Sequence, residues 1–188
     1  MNEYLQKINS FIAKLDHDTL STLEAISETK TYKKGEFLLL QDEICRYSFS
    51  IEEGITRKFY LNDGKEITTD FIFEDDIAVS FDSYVLQKPS KEYIQALTDT
   101  VVSQTNFIAF QNAKKNRPKL IELDLLLTEY YTMWLENRSF QFHTLDATQR
   151  YLLLLKDHPE IIRNIPLTYI ASYLGISLET LSRIRSKI

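Results

Sequence analysis

Apolar positions along the chain change period twice. In the first thirty or so residues they recur at helical spacing: Leu5, Ile8 and Ile12 within Met1 to Ala13, then Leu20, Leu23 and Ile26 within Asp18 to Thr29. Asp16 or Asp18 stands where it can cap the second helix. From Thr31 to about Phe110 the period drops towards two. Segments 36–41, 46–51, 55–61, 66–72, 92–97 and 101–109 are short and rich in β-branched and aromatic residues. Lys34-Gly35, Glu53-Gly54 and Asn62-Asp63-Gly64 punctuate them, and Asp-Gly between two such runs signals a hairpin. At least six short strands at this spacing predict an all-β sandwich or barrel. Residues 73–90 alternate poorly. They read as a strand end, a short helix around Val79 to Val85 and a loop through Gln87-Lys88-Pro89-Ser90. Such an insert is either where a small barrel senses a ligand or an ordinary barrel-closing loop.

Helical spacing then returns. Residues 118–138 predict a long helix with Pro118 in its first turn and a broad apolar stripe of Leu120, Leu123, Leu127, Tyr130, Tyr131, Trp134 and Leu135. The stripe is wider than a helix lying on a barrel requires. A second copy packed against it in a symmetric dimer would bury the excess; a core-facing helix of a monomer is the alternative. Another helix, Asp146 to Lys156, leads through Pro159 to the last segment, 165–188. There Thr168, Ile170, Ala171 and Leu174 share one face of a short helix, Gly175-Ile176-Ser177 breaks it, and Leu178 to Lys187 form a second with Leu181 and Ile184 inward. Gly175 suits a left-handed turn, Ser177 an N-cap, and Glu179 the first helical turn. This is the pattern of a helix-turn-helix whose second helix enters a DNA major groove, with Glu179, Thr180, Ser182, Arg183 and Arg185 outward. A plain helical hairpin ending a domain is the competing reading.

Composition narrows the partners. The chain of 188 residues is 44% hydrophobic and 26% charged, an ordinary soluble globular balance with room for one good core or two small ones. It has no twenty-residue apolar run, and Met1-Asn2-Glu3-Tyr4 does not open a signal peptide, so cytoplasmic residence and no membrane partner are expected. Cys45 stands alone, which excludes a disulfide framework and a Cys-only metal cluster and predicts a small buried hydrophobe. The net charge of -5 argues against nucleic acid until its distribution is considered. Residues 161–188 carry Arg163, Arg183, Arg185 and Lys187 against Glu179 alone, a balance of +3. A small basic tail on an acidic body fits contact with DNA at one end only. One copy would bind weakly; two on one duplex would double the phosphate contacts. No nucleophile–base pair or metal-ligand cluster is legible, so neither enzyme activity nor a metal or cofactor is expected.

The ordered segments Tyr32-Lys-Lys-Gly-Glu-Phe37, Ile51-Glu-Glu-Gly-Ile-Thr-Arg57, Phe81-Asp-Ser83, Pro89-Ser90, Ile94-Gln-Ala-Leu97 and the whole ending from Tyr169 to Arg185 give the chain a wider likeness. Across essentially its full length it resembles the Crp–Fnr family, relatives of the cyclic-AMP receptor protein and the fumarate–nitrate regulator, and within it a short subgroup without the cyclic-nucleotide signature. The resemblance implies an α+β architecture. Residues 1–117 would form an effector-sensing β-roll of the cyclic-nucleotide-binding, cupin-like jelly-roll type with N-terminal helices. Residues 118–140 would be a dimerisation helix and linker, with Leu120, Leu123, Leu127, Tyr130, Tyr131 and Trp134 in the seam. Residues 141–188 would be a winged-helix-like helix-turn-helix domain. The implied function is a homodimeric, sequence-specific transcription regulator. Its partners would be double-stranded DNA, a second copy, RNA polymerase and a small-molecule effector. The alternative is a cytoplasmic ligand-binding or protein-interaction module whose helix-turn-helix no longer reads DNA.

The resemblance also assigns residues. Thr168, Ser177, Glu179, Thr180, Ser182, Arg183, Arg185 and Lys187 would meet DNA, Arg183 donating to guanine and Glu179 accepting from cytosine. Leu178 stands where some relatives carry a base-reading arginine, so their operators do not transfer. Longer relatives continue past the position of Ile188 into a final hairpin, so an incomplete wing is expected. Phe73, Val79, Phe81, Ser83, Tyr84, Ser90, Lys91 and Tyr93 lie near the family's ligand loop. The Gly-Glu and Arg-Ser pairs that grip cyclic nucleotides align with Val79-Ser80 and Pro89-Ser90-Lys91, where both the carboxylate and the guanidinium are missing. Lys91 cannot reproduce a bidentate grip, so the effector is expected not to be cyclic AMP held in the usual way. An iron–sulfur sensor is excluded by the lone Cys45, and a haem sensor has little to work with, because His17, His143 and His158 all fall outside the strand segments.

Overall fold

The structure, a computed structural model, describes residues 2–187; Met1, the expected start of the first helix, and Ile188 lie outside it. The chain opens with α1 (Asn2–Ile12) and α2 (His17–Ala25). Asp16 caps α2, its carboxylate accepting from the Thr19 amide at 2.9 Å and the Thr19 hydroxyl at 2.8 Å. The helix stops short of the expected Thr29 because Ser27 already belongs to β1 (Ser27–Tyr32). β2 (Phe37–Leu39), β3 (Tyr47–Glu53), β4 (Thr56–Asn62) and β5 (Lys65–Ile72) follow close to the segments with period-two spacing. Then come the two-residue β6 (Ile77–Ala78), α3 (Phe81–Leu86), β7 (Tyr93–Ala96) and β8 (Thr100–Asn106). The sixth expected strand ends early. Asn106 accepts from the Ala109 amide at 3.1 Å and starts a helix, α4 (Phe107–Asn116), that spacing alone did not reveal.

The strands form two four-stranded sheets, ordered β1-β8-β3-β6 and β2-β7-β4-β5. Tyr32, Leu38, Leu39, Phe49, Ile51, Ile72, Ile94, Ala96 and Val102 fill the space between them. β4 and β5 meet in a tight hairpin, with Asn62 opposite Lys65 and both Asp63 and Gly64 at positive φ. Gly54, between β3 and β4, has φ +98, and a Cβ there would stand 2.6 Å from the Asp99 carbonyl oxygen. That position admits only glycine.

Packing sorts the chain into two units. One takes the N-terminal helices to Glu28 together with Thr105–Leu145. Its centre is α5 (Pro118–Thr144), longer at its C-terminal end than the expected 118–138. Leu120 and Leu123 are buried there beside Ile8 and Phe110, and Leu126, Leu127 and Tyr130 pack on the same cluster. The other unit joins Thr29–Gln104 to Asp146–Ile188. It adds to the sheets α6 (Ala147–Asp157), α7 (Ile161–Asn164), α8 (Leu167–Leu174) and α9 (Leu178–Arg185). Asp146 and Gln149 form a capping box at the start of α6. Ile55, Phe71, Phe73 and Leu97 from the strand region share one core with Tyr151, Leu154, Ile161, Ile165, Ile170, Ala171, Leu174, Leu181 and Ile184. The terminal helices are thus packed on the sheets, a grouping that cuts across the sequential division at residues 117 and 140.

Gly54→Ala combines a positive φ with a backbone clash. It should destabilise the protein by on the order of 1–3 kcal/mol, read as a lower urea midpoint at unchanged slope.

Candidate functional site

The last two helices make a closely turned pair. Gly175 adopts φ 69 and ψ 35 at the end of α8, and the amides of Gly175 and Ile176 donate to Ser172 and Ala171 carbonyls, each at 3.0 Å. Ser177 caps α9, its hydroxyl accepting from the Thr180 amide at 3.1 Å and lying 3.0 Å from the Thr180 hydroxyl. Leu181 and Ile184 are buried, whereas Glu179, Ser182, Arg183, Arg185 and Lys187 are exposed. Thr180 is half-buried. Arg183 and Glu179 approach to 3.6 Å one turn apart, both largely in water, where such a pair is weak and readily exchanged. Thr168 differs from the spacing argument: it is exposed, and Leu167 takes the inward side with Ile170. Chemically this is a row of donors and one acceptor on the open face of a helix anchored by a leucine and an isoleucine.

The expected effector residues fall into three groups. Ser83 and Ser90 are buried. Ser83 Oγ accepts from the Cys45 amide at 2.9 Å and donates to the Lys88 carbonyl at 2.5 Å. Ser90 Oγ accepts from the Glu92 amide at 3.0 Å, and Ser80 Oγ and the Glu92 carbonyl oxygen, each at 2.9 Å, are both within reach of its single proton. Val79, Phe81 and Tyr84 are partly buried, Val79 and Tyr84 against the inter-sheet core. Phe73, Lys91 and Tyr93 do not join them. Phe73 stacks on His158 at 3.6 Å between ring centroids. Lys91 is exposed. Tyr93 lies on the opposite face of β7 from buried Ile94 and stacks on Phe59 at 4.8 Å. The reason is the strict alternation of a strand.

Sequence reasoning missed the polar side chains nearest Ser90. Ser80 is fully buried and lies 3.3 Å from Glu92 Oε2; Lys58 is buried on β4, with Nζ 4.0 Å from the same carboxylate and 3.5 Å from the Val79 carbonyl. Alternation along β4 puts Thr56 and Lys58 on the face opposite Arg57 and Phe59, but only the fold shows that the Lys58 face is the inner one. Two shallow surface hollows, of about 470 and 480 Å³, are lined by residues 18–26 with Arg117 and by residues 30–37, away from this cluster. Within the cluster the serines and Glu92 hydrogen-bond one another. Cys45 borders the cluster; burial pushes its thiol up to about 11. Among the described residues no group of His, Cys, Asp or Glu could hold a metal ion, and no helix is long and apolar enough to cross a membrane.

On α5, Leu120 and Leu123 are occupied within their own unit, and Leu127 and Tyr130 pack on the same cluster. Tyr131 and Trp134 stack on each other at 5.9 Å. A separate exposed line carries Ile121, Leu125, Leu135, Phe140 and Phe142. The expected stripe thus packs in part with α1 and α4, and a second apolar surface, sharing only Leu135 with it, is exposed.

Comparison with solved structures identifies the architecture. FixK2 from Bradyrhizobium japonicum aligns with a TM-score of 0.71 at 21% identity, covering 86% of this chain and 84% of its own. The c-di-GMP responsive global regulator CLP of Xanthomonas campestris aligns with a TM-score of 0.71 at 13% identity, covering 92% and 91%. The catabolite activator protein of Thermus thermophilus gives 0.58 at 14%, covering 94% and 85%. The chain has the fold of these regulators. No protein-family profile matches the sequence, and no curated protein matches it.

Cys45 should resist thiol reagents at pH 8 in the native protein and react at once in denaturant, measured by release of a chromogenic thiol. Because its folded pKa lies above its unfolded one, the native state holds the proton longer. Its contribution to stability should therefore fall between about pH 9 and pH 11.

Proposed function

We propose that the protein is a homodimeric transcription regulator of the Crp–Fnr type that reads double-stranded DNA with α9, and that it is not an enzyme. The observation that carries this reading is the open face of α9. Arg183 and Arg185 are exposed in the last turn of a helix capped by Ser177, with Lys187 exposed just beyond it, on a fold shared with a known regulator. Arg183 donates two parallel hydrogen bonds to guanine O6 and N7, Glu179 accepts from cytosine N4, and Ser177, Thr180 and Ser182 meet phosphate or hold the helix start. Thr168 at the start of α8 is exposed and adds a phosphate contact. Leu178, 45% exposed at the start of α9, meets a thymine methyl. In this reading the DNA-reading part follows the long helix α5, the dimer helix is α5 itself and the sensing part precedes it. RNA polymerase is the natural further partner of such a regulator, and the cytoplasm its compartment.

Dimerisation uses the exposed line of α5. Ile121 and Leu125 recur at helical spacing, and Leu135, Phe140 and Phe142 continue the apolar surface. Tyr131 and Trp134 flank it. Any effector enters at the Ser83–Ser90 end of the β-roll. Lys58, Ser80, Ser90 and Glu92 engage one another there, which supports an effector other than a cyclic nucleotide.

Four measurements test these assignments. Arg183→Ala should cost about 1–3 kcal/mol per half-site on an operator selected from a random pool, and little on random duplex, by fluorescence anisotropy. Lys187→Ala should weaken both alike and lower the salt slope by about one unit. Loss of both duplexes equally in Arg183→Ala would make that residue a phosphate anchor. No binding by the wild type at any salt would leave the ligand- or protein-binding module as the function. Leu125→Glu, in the exposed line, should shift sedimentation to monomer; an unchanged oligomer would remove α5 from the seam. Calorimetry with cyclic AMP and cyclic GMP should show no heat at micromolar concentration.

A further inference from the structure

β4 carries two buried cations on opposite faces. Lys58 points into the roll; its neighbour Arg57 points out and is only 1% exposed. Arg57 Nη2 donates to Glu66 Oε2 at 2.6 Å, and Nη2 and Nε donate to Gln95 Oε1 at 2.8 and 3.1 Å. The guanidinium carbon lies over two rings, 4.0 Å from the centroid of Phe59 of β4 and 3.5 Å from that of Tyr169 of α8. Its Nη1 is buried without a hydrogen-bond acceptor. Leaving one nitrogen of a buried cation unmet is costly, and the stacking and the Glu66 pair offset that cost only while Tyr169 is seated.

The next residues on the same face of α8 complete the contact. Ser172 Oγ accepts from the Thr68 amide at 2.9 Å and donates to the Glu66 carbonyl at 3.2 Å, joining α8 to the edge of β5. Tyr173 packs on Phe71, their ring centroids 4.9 Å apart. Residues 169, 172 and 173 have the i, i+3, i+4 spacing of one helix face. The other face, Ile170, Ala171 and Leu174, is buried with Leu181 and Ile184 of α9. Hence α8 is fixed to the sheet on one side and to the reading helix on the other, while Arg183 and Arg185 remain uncovered.

We propose that Arg57 is the positioning residue that holds the α8–α9 pair on the sheet in one orientation, so that two copies address two half-sites of a duplex at a single spacing. The inference rests on the DNA-reading assignment above. Arg57 touches no base. It acts through Tyr169, by removing orientational freedom that each copy would otherwise lose on binding.

The test uses the full-length protein and the variants Arg57→Ala, Arg57→Lys and Tyr169→Ala, the last leaving Arg57 its Glu66 and Gln95 partners. Without DNA, hydrogen exchange at the Thr68 amide should quicken about tenfold or more in Arg57→Ala and Tyr169→Ala, while the β7 amides hold their protection. With DNA, affinity for the selected two-half-site duplex should fall about tenfold, affinity for a single half-site should stay within about twofold, and the penalty for inserting half a helical turn between half-sites should shrink. Arg57→Lys keeps the charge without the flat stacked fork and should resemble Arg57→Ala. An unchanged Thr68 amide, or equal weakening on one and two half-sites, would overturn the proposal while leaving DNA reading intact. A wild type that binds neither duplex would overturn both.

Discussion

The sheet of β2, β7, β4 and β5 has to be covered on both faces, and much of the larger unit follows from that constraint. Ile94 and Ala96 face the inter-sheet core, while Phe59 and Tyr93 pair on the opposite side. Phe71 and Phe73 join the terminal helices instead of the barrel interior. Fully burying an aromatic of this size is worth about 1.5–3 kcal/mol, so a sheet with aromatic residues outward is stable only under a cover. The cover is the helical segment from α6 to α9. A helical pair too short to hold an independent core thereby gains one, and the side of α9 that faces away stays free for polar chemistry.

The same strand has one cation on each face because its alternation is strict. Lys58 meets Glu92 and the Val79 carbonyl inside the roll, and Arg57 meets Glu66, Gln95 and two aromatic rings outside it. The register between β4 and β5 shifts directly after the pair, at Lys58/Phe59, where β5 carries one extra residue, Thr69. A change in how β4 twists at its inner lysine therefore has a physical route to the outer arginine two atoms of backbone away. The polar residues at the inner site are already mutually satisfied, so whatever engages them has to displace Glu92 or the serine bonds.

In the smaller unit, α5 carries more apolar surface than its neighbours use. Leu120 and Leu123 are spent on α1 and α4, while Leu125 and Phe140 remain outward. Sequence spacing marks the width of such a stripe but not which edge of it the chain's own helices will take, since residues three or four apart lie on adjacent sides of one surface.

Local rules in the sequence determined most elements. Period-two runs marked six strands, Asn62-Asp63-Gly64 the hairpin, and Asp146, Gly175 and Ser177 the helix ends, because each depends on neighbours within a turn or two. Segments whose state depends on a distant partner were not legible. β1 and the two residues of β6 are held by pairing across the sheet, and residues 107–109, expected as the end of a strand, became the start of a helix packed on α5. The exposed face of α9 could be anticipated from Leu181 and Ile184. The grouping of Lys58, Ser80, Ser90 and Glu92 could not, nor could the outward turn of Tyr93 and Phe73, since both require knowing which face of each strand is inside. The docking of Tyr169 on Arg57 joins residues more than a hundred positions apart, and only the tertiary fold brings the ring over a buried guanidinium, where the cation–π attraction offsets part of the cost of desolvating the charge.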